Sequence, residues 1–218
     1  MQRRLGRHHL PLGLLSAAAI GLLYVTRPYS DVITRLSFAT AWPAFVLLAL
    51  TLMIGPWRSL RGKTPVLSSD FRRDIGIWAG IVGVAHAGIG QCVHLRGRPW
   101  LYYVYEKAQE HLLPIRHDIF GFANFTGLFA ALILLALLAT SNDASLRKIG
   151  QPDWKGLQRW NYACCGLTAL HTFGYLIGIE SLKWAWIATA GLCALLTATL
   201  QYQGWRRHRS LERATHRR

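Results

Sequence analysis

Two histidines stand inside runs that otherwise look built for lipid. His86 lies in GIWAGIVGVAHAGIGQCVH (residues 76–94) and His171 in WNYACCGLTALHTFGYLIG (residues 160–178). A neutral imidazole is a good iron ligand, and axial ligands both hold a haem and set its potential. A polar side chain within a bilayer is costly and by default marks a site. Each histidine follows the start of its apolar run, Ile75 or Trp160, by eleven residues. At about 1.5 Å per residue, both lie roughly 16 Å from the same boundary. Helix positions three, four or seven apart share a face. For His86 these include Ala79, Gly83 and Gly90, and for His171 they include Thr168, Gly174 and Gly178. Small neighbours leave room for something flat and broad, so two imidazoles from parallel helices could clamp one haem b edge-on. The competing reading is that each histidine bonds a neighbouring helix as polar glue.

The remaining chemistry-bearing residues point less sharply. His8, His9, His208 and His216 sit in basic termini, and His111 and His117 in a long connector. His94 marks the end of its apolar run, where it can bond a haem propionate or cap a helix. Cys92, Cys164, Cys165 and Cys193 show no CxxC or Cys/His zinc spacing and read as small side chains of membrane helices. Glycine clusters fall within apolar runs and follow no predicted strand, so the nucleotide-loop reading fails. Asp and Glu lie at boundaries and in connectors, which leaves a transporter without an intramembrane carboxylate.

The elements that must position the histidines are transmembrane helices. Hydrophobic residues make up 52% of the 218, charged residues only 16%, and the charges gather between apolar runs. A span needs about 20 mostly apolar residues. Six runs qualify, at about 10–26, 36–55 (with Pro43 as a kink), 75–94, 119–139, 160–178 and 182–202. The first follows a basic start without a small-residue cleavage site and reads as an uncleaved span. The fold expected is all-α: a polytopic six-helix transmembrane bundle with both termini cytoplasmic. In that orientation 18 of the 25 Lys and Arg fall inside, in residues 1–9, the second-to-third connector, the fourth-to-fifth connector and the tail. The net charge of +15 therefore reads as topology plus contact with anionic lipid, not nucleic acid. Trp100, Tyr102, Tyr103, Tyr105, Trp184 and Trp186 read as interfacial aromatics. Residues 98–118 read as an outer amphipathic segment.

The order FRRDIGIWAGIVGVAH, then a span ending LLALLATSN, then WKGLQRWNYACCGLTALH resembles the ferric reductase-like transmembrane domain family. That group includes ferric reductases, NADPH oxidases and small bacterial haem-binding subunits, and the last are nearest in size and layout. The resemblance covers about residues 70–178 of what reads as a single domain over 1–218, with a basic tail at about 204–218. It implies a membrane cytochrome b in the bacterial cytoplasmic membrane, with the third-span and fifth-span histidines, His86 and His171, as haem ligands. The family usually has a further histidine near the start of the fifth span; Gln158 occupies that position here. One haem, or a haem plus a flavin or quinone site at the inner face, is the expectation. Haem propionates want cations, and Arg96, Arg98 and Arg116 outside, with Arg72, Arg73 and Arg159 inside, are available.

The function implied is an oxidoreductase component carrying electrons across the membrane. A quinol, flavin or reductase would donate at the inner face, and a periplasmic protein or ferric iron would accept at the outer face. The chain leaves no room for an NAD(P)H-binding domain. The alternative is a haem-free scaffold or assembly subunit related to such cytochromes, which Gln158 favours. Residues expected about the cofactor are His86, His171, Gly83, Gly90, Gly174 and Arg73.

Overall fold

The computed structural model describes residues 4–27, 29–62, 70–95, 97–179 and 183–215. Arg3, Lys63, Arg96, His216, Arg217 and Arg218, which entered the reading above, lie outside them. The helices are α1 (Leu10–Thr26, led by a π turn at Leu5–His9), α2 (Val32–Leu60), α3 (Asp70–Gly90), α4 (Ile119–Thr140), α5 (Asp143–Ile149), α6 (Gln151–Gln158), α7 (Trp160–Gly178) and α8 (Trp184–Thr215). No strand occurs among the described residues; the nearest approach is an isolated bridge between Val104 and Ile115.

Six of the helices are long, and four segments are long and apolar enough to cross a membrane: Leu5–Thr26, Val32–Leu60, Ile119–Thr140 and Trp184–Leu211. The two that carry the histidines, α3 and α7, fall below that mark. They spend positions on Asp70, Arg72, Arg73 and Asp74, or on Asn161, Thr168 and His171. The chain is a multi-pass helical membrane protein. Leu14, Leu22, Leu132, Leu135, Leu192 and Leu195 point outward, as lipid-facing side chains do.

Helix starts follow local rules. Asp31 accepts from the Thr34 N–H at 2.9 Å, Asp118 from Gly121 at 2.7 Å and Asn142 from Ser145 at 2.8 Å. Each satisfies a donor that the first helical turn leaves orphaned. α2 runs unbroken through Pro43 and Pro56 and is longer at both ends than 36–55. α3 begins at Asp70 and stops at Gly90, so His94 lies beyond it in a bend. α8 extends well past residue 202 into the basic tail. α5 and α6 form a short helical corner before α7, with Gly150 between them at φ 85°.

α2 is the hub. It packs most extensively on α3 and also meets α8 and α1, while α4 packs most extensively on α7 and also meets α3. Small residues set these distances. A Cβ on Gly174 would sit 2.9 Å from the Ala123 Cβ, and one on Gly83 would meet a Leu134 methyl. One end of the bundle gathers the described residues of the connectors that follow α1, α3 and α7 (the loop end). The other gathers the termini, α5 and α6 (the terminal end).

Candidate cofactor site

α3 and α7 run in the same direction and bring their imidazoles into one cavity enclosed by α2, α3, α4 and α7. The ring centroids of His86 and His171 are 6.2 Å apart and the planes are inclined by 70°. The His86 Nδ1 lies 3.0 Å from the Ser37 carbonyl oxygen on α2, with Thr40 Oγ1 at 3.4 Å. The His171 Nδ1 lies 2.8 Å from the Ala123 carbonyl oxygen on α4. A carbonyl oxygen only accepts, so each Nδ1 carries the hydrogen and donates it. Each Nε2 is left with its lone pair. This is how metal-ligating histidines are held: a bond from the other ring nitrogen sets tautomer and orientation.

Two imidazoles each about 2 Å from one shared metal have ring centres roughly 6 Å apart, which matches the separation here. No group of three or more His, Cys, Asp or Glu placed to hold a metal ion occurs among the described residues. Two imidazoles complete the ligand set of a metal that brings its other ligands with it, as the iron of a porphyrin does. The cavity has about 1350 Å³ of non-atom space, counting the part open to its surroundings. Phe38, Trp42, Phe45, Leu128 and Leu176 make its wall apolar, and Thr34, Gln91 and His94 give it a polar loop end. The residues present fit a haem.

The other expected residues divide. Gly83 and Gly90 line the cavity. Gly174 faces Ala123 and lets α7 approach α4, which acts on the site only by bringing two helices together. Arg73 does not join the histidines: it is thirteen residues from His86, roughly 20 Å along the helix. It instead bonds Asp143 at 2.7 Å. Of the other cations named above, Arg98 pairs with Glu106 and Arg116 with Asp118. No Lys or Arg lines the histidine cavity among the described residues.

Two contributors escaped sequence reasoning. Gly127 on α4 lies against the His171 ring, and a Cβ there would be 2.5 Å from Nδ1. The signal was present as NFTGLFAAL in the fourth span, but nothing in one sequence says which face of α4 meets α7. The second is a packed aromatic cover. His94 stacks on Tyr175 with centroids 6.1 Å apart and donates its backbone N–H to the Tyr102 Oη at 2.8 Å. Tyr102, fully buried, donates to the Gly90 carbonyl at 3.1 Å. Tyr175 donates to Asn124 Oδ1 at 2.9 Å, which gives that polar residue of α4 its interhelical partner.

A second cavity lies at the terminal end, with Leu48 and Leu134 bordering both. Its wall includes Arg72, Arg73, Lys155, Gln158 and Arg159. The Gln158 Nε2 is enclosed without a hydrogen-bond partner.

Fold and site together define a multi-pass helical membrane protein with an imidazole pair poised across an apolar cavity. The chain is similar to the protein-methionine-sulfoxide reductase heme-binding subunit MsrQ of Pectobacterium atrosepticum, 30% identical over 164 residues, 75% of this chain and 73% of that protein. It belongs to the family of those subunits. The Deinococcus radiodurans protein of the same name is 33% identical over 129 residues, 59% of this chain and 56% of that one. The magnetosome protein MamZ of Magnetospirillum gryphiswaldense is 30% identical over 129 residues, which is 18% of its length. No family model and no solved structure matches the chain.

Proposed function

We propose that this protein is a haem b electron-transfer subunit of the bacterial cytoplasmic membrane, with one haem held between His86 and His171. The observation that carries the reading is the pair of Nδ1–H to carbonyl bonds, from His86 to Ser37 and from His171 to Ala123. They leave both Nε2 lone pairs unused, on two rings whose centroids lie 6.2 Å apart beside one cavity. The names of the two curated relatives, heme-binding subunits, support it.

Bound haem would supply a one-electron carrier near the middle of the bilayer. The chain's own residues do the rest. α2 and α4 fix both imidazoles before anything binds, so little ordering remains to oppose ligation. Thr34, Gln91 and His94 offer polar partners for propionates at the loop end, while Leu48, Ala130 and Leu134 keep the opposite end apolar. Phe38, Trp42 and Phe45 would keep water from a haem held there, and such an apolar shell is one of the levers on its potential.

All six long helices cross the membrane in this reading, and both termini are cytoplasmic. Electrons enter at the terminal end from a quinol, flavin or reductase partner and leave at the loop end to a periplasmic protein or ferric iron. The test is a reduced-minus-oxidised spectrum with a pyridine haemochrome assay on purified protein. A b-type spectrum is expected, and loss of most haem in His86→Ala and in His171→Ala. Absence of the spectrum, or full haem retention in both variants, overturns the reading in favour of a haem-free scaffold.

A further inference from the structure

The second cavity has a chemistry that the histidine pair does not use. It opens at the terminal end between α2, α3, α4, α6 and α7. All charged side chains lining it are cations: Arg72, Arg73, Lys155 and Arg159. Arg73 is the most enclosed, with its side chain 8% exposed. Its Nη2 reaches Asp143 at 2.7 Å and Asp70 at 3.6 Å, while its buried Nε has no partner. Arg72 donates from Nε to the Thr51 carbonyl at 2.7 Å. Lys155 and Arg159 make no ion pair with any described carboxylate. The enclosed Gln158 amide adds a donor without an acceptor. Deeper in, the wall turns apolar with Leu48, Ala79, Leu134 and Leu137.

We infer that this cavity binds the phosphate of an anionic phospholipid, with the start of an acyl chain against the apolar depth. Guanidinium forks and an amide donor suit phosphate oxygens, and basic pockets between membrane helices on the cytoplasmic side take anionic headgroups. A neutral headgroup such as a quinone would leave Lys155 and Arg159 facing the cavity without a counter-charge. A free phosphate would satisfy the cations and leave the leucines without an occupant, so the lipid is the source. The inference needs the membrane setting but not the haem, and its readout does not involve the haem.

Trp154 supplies the probe, since its indole is buried in the cavity wall and donates to the Thr140 carbonyl at 2.9 Å. Full-length protein goes into nanodiscs of phosphatidylcholine containing a minority of brominated phosphatidylglycerol or, in parallel, brominated phosphatidylcholine. Tryptophan quenching is compared with that of Trp154→Phe, so that the Trp154 share is isolated. Severalfold stronger quenching of that share by the anionic lipid is expected, with loss of the preference in Lys155→Gln/Arg159→Gln. Those two positions lie toward the surface, and far-UV circular dichroism checks that the variant is folded. Equal quenching by the two lipids, or an unchanged preference in the double variant, overturns the site. Displacement by millimolar inorganic phosphate overturns the lipid as its source, and displacement by a quinone analogue alone overturns the anionic chemistry.

Discussion

His86 and His171 owe their tautomers to atoms on other helices, the Ser37 carbonyl of α2 and the Ala123 carbonyl of α4. The glycine that permits the second of these bonds is Gly127. Replacing it with alanine puts a methyl 2.5 Å from the His171 Nδ1 and forces the ring to move. Alanine also favours a helix by about 1 kcal/mol over glycine, so the backbone gains while the site loses. Gly127→Ala is therefore expected to accumulate and span the membrane normally yet retain less than half the haem of the parent, read by pyridine haemochrome per protein. Full retention with an unchanged spectrum would show that His171 does not depend on this contact. The two histidines and their common depth were legible in the sequence because both lie eleven residues from a boundary. Gly127 was not legible, since its importance comes from the rotation of α4 about its axis.

At the scale of elements, α3 and α7 are the two long helices that fall below the apolar mark of a membrane span, and they carry the candidate site. Their place depends on partners, so their glycines divide by what they touch. A Cβ on Gly83 meets the far end of the flexible Leu134 side chain, whereas one on Gly174 meets the Cβ of Ala123 with its Cα at 3.5 Å. Gly83→Ala should be nearly neutral, because the leucine can rotate away. Gly174→Ala must part α4 from α7, an overpacking that costs about 1–3 kcal/mol. The thermal unfolding midpoints of the two variants in detergent check this; a Gly174→Ala protein as stable as the parent would contradict it. α4 also carries a pH-dependent start. Arg116 holds the Asp118 carboxyl below the usual carboxylate range, and the Gly121 N–H adds to this as the helix cap. The folded state thus favours the charged form. Its contribution is present above about pH 4 and is lost as pH falls below that. With both side chains partly exposed it amounts to at most about 1 kcal/mol. Asp118→Asn keeps a capping oxygen and drops the charge, so the parent should exceed it in midpoint at pH 7 and converge with it near pH 3. The element ends show where sequence patterning stops. The spans 10–26, 119–139 and 160–178 nearly coincide with helices, whereas α2, α3 and α8 continue into charged residues that a hydropathy window discards. The short helices α5 and α6 left no apolar signal at all. Residues 98–118, expected to be an amphipathic surface segment, fold back through the buried Tyr102 to cover His94.

Across the whole molecule, charge and histidine placement support one orientation. Fourteen of the 20 described Lys and Arg belong to the terminal end, and that end also holds the cation-lined cavity. Under the proposed orientation, the positive-inside tendency would put the terminal end in the cytoplasm and the loop end, with His94 and the polar rim of the histidine cavity, in the periplasm. The arrangement is self-consistent only if α3 and α7 cross the bilayer with the four more apolar segments. If either stayed on one side, the connectors on its two flanks would face the same compartment. Native Cys92, exposed just beyond α3, and an engineered Ser145→Cys in α5 lie at opposite ends, separated in the chain by α4. In a background with Cys164, Cys165 and Cys193 replaced by alanine, a membrane-impermeant maleimide should label Cys92 in intact spheroplasts. The cysteine placed at position 145 should react only after the membrane is opened. A further pair distinguishes six crossings from four: Arg61→Cys, before α3, should behave like position 145 and unlike Cys92. Labelling of positions 61 and 92 from the same side would remove α3 from the membrane, and with it the matched depth on which the shared site of His86 and His171 depends.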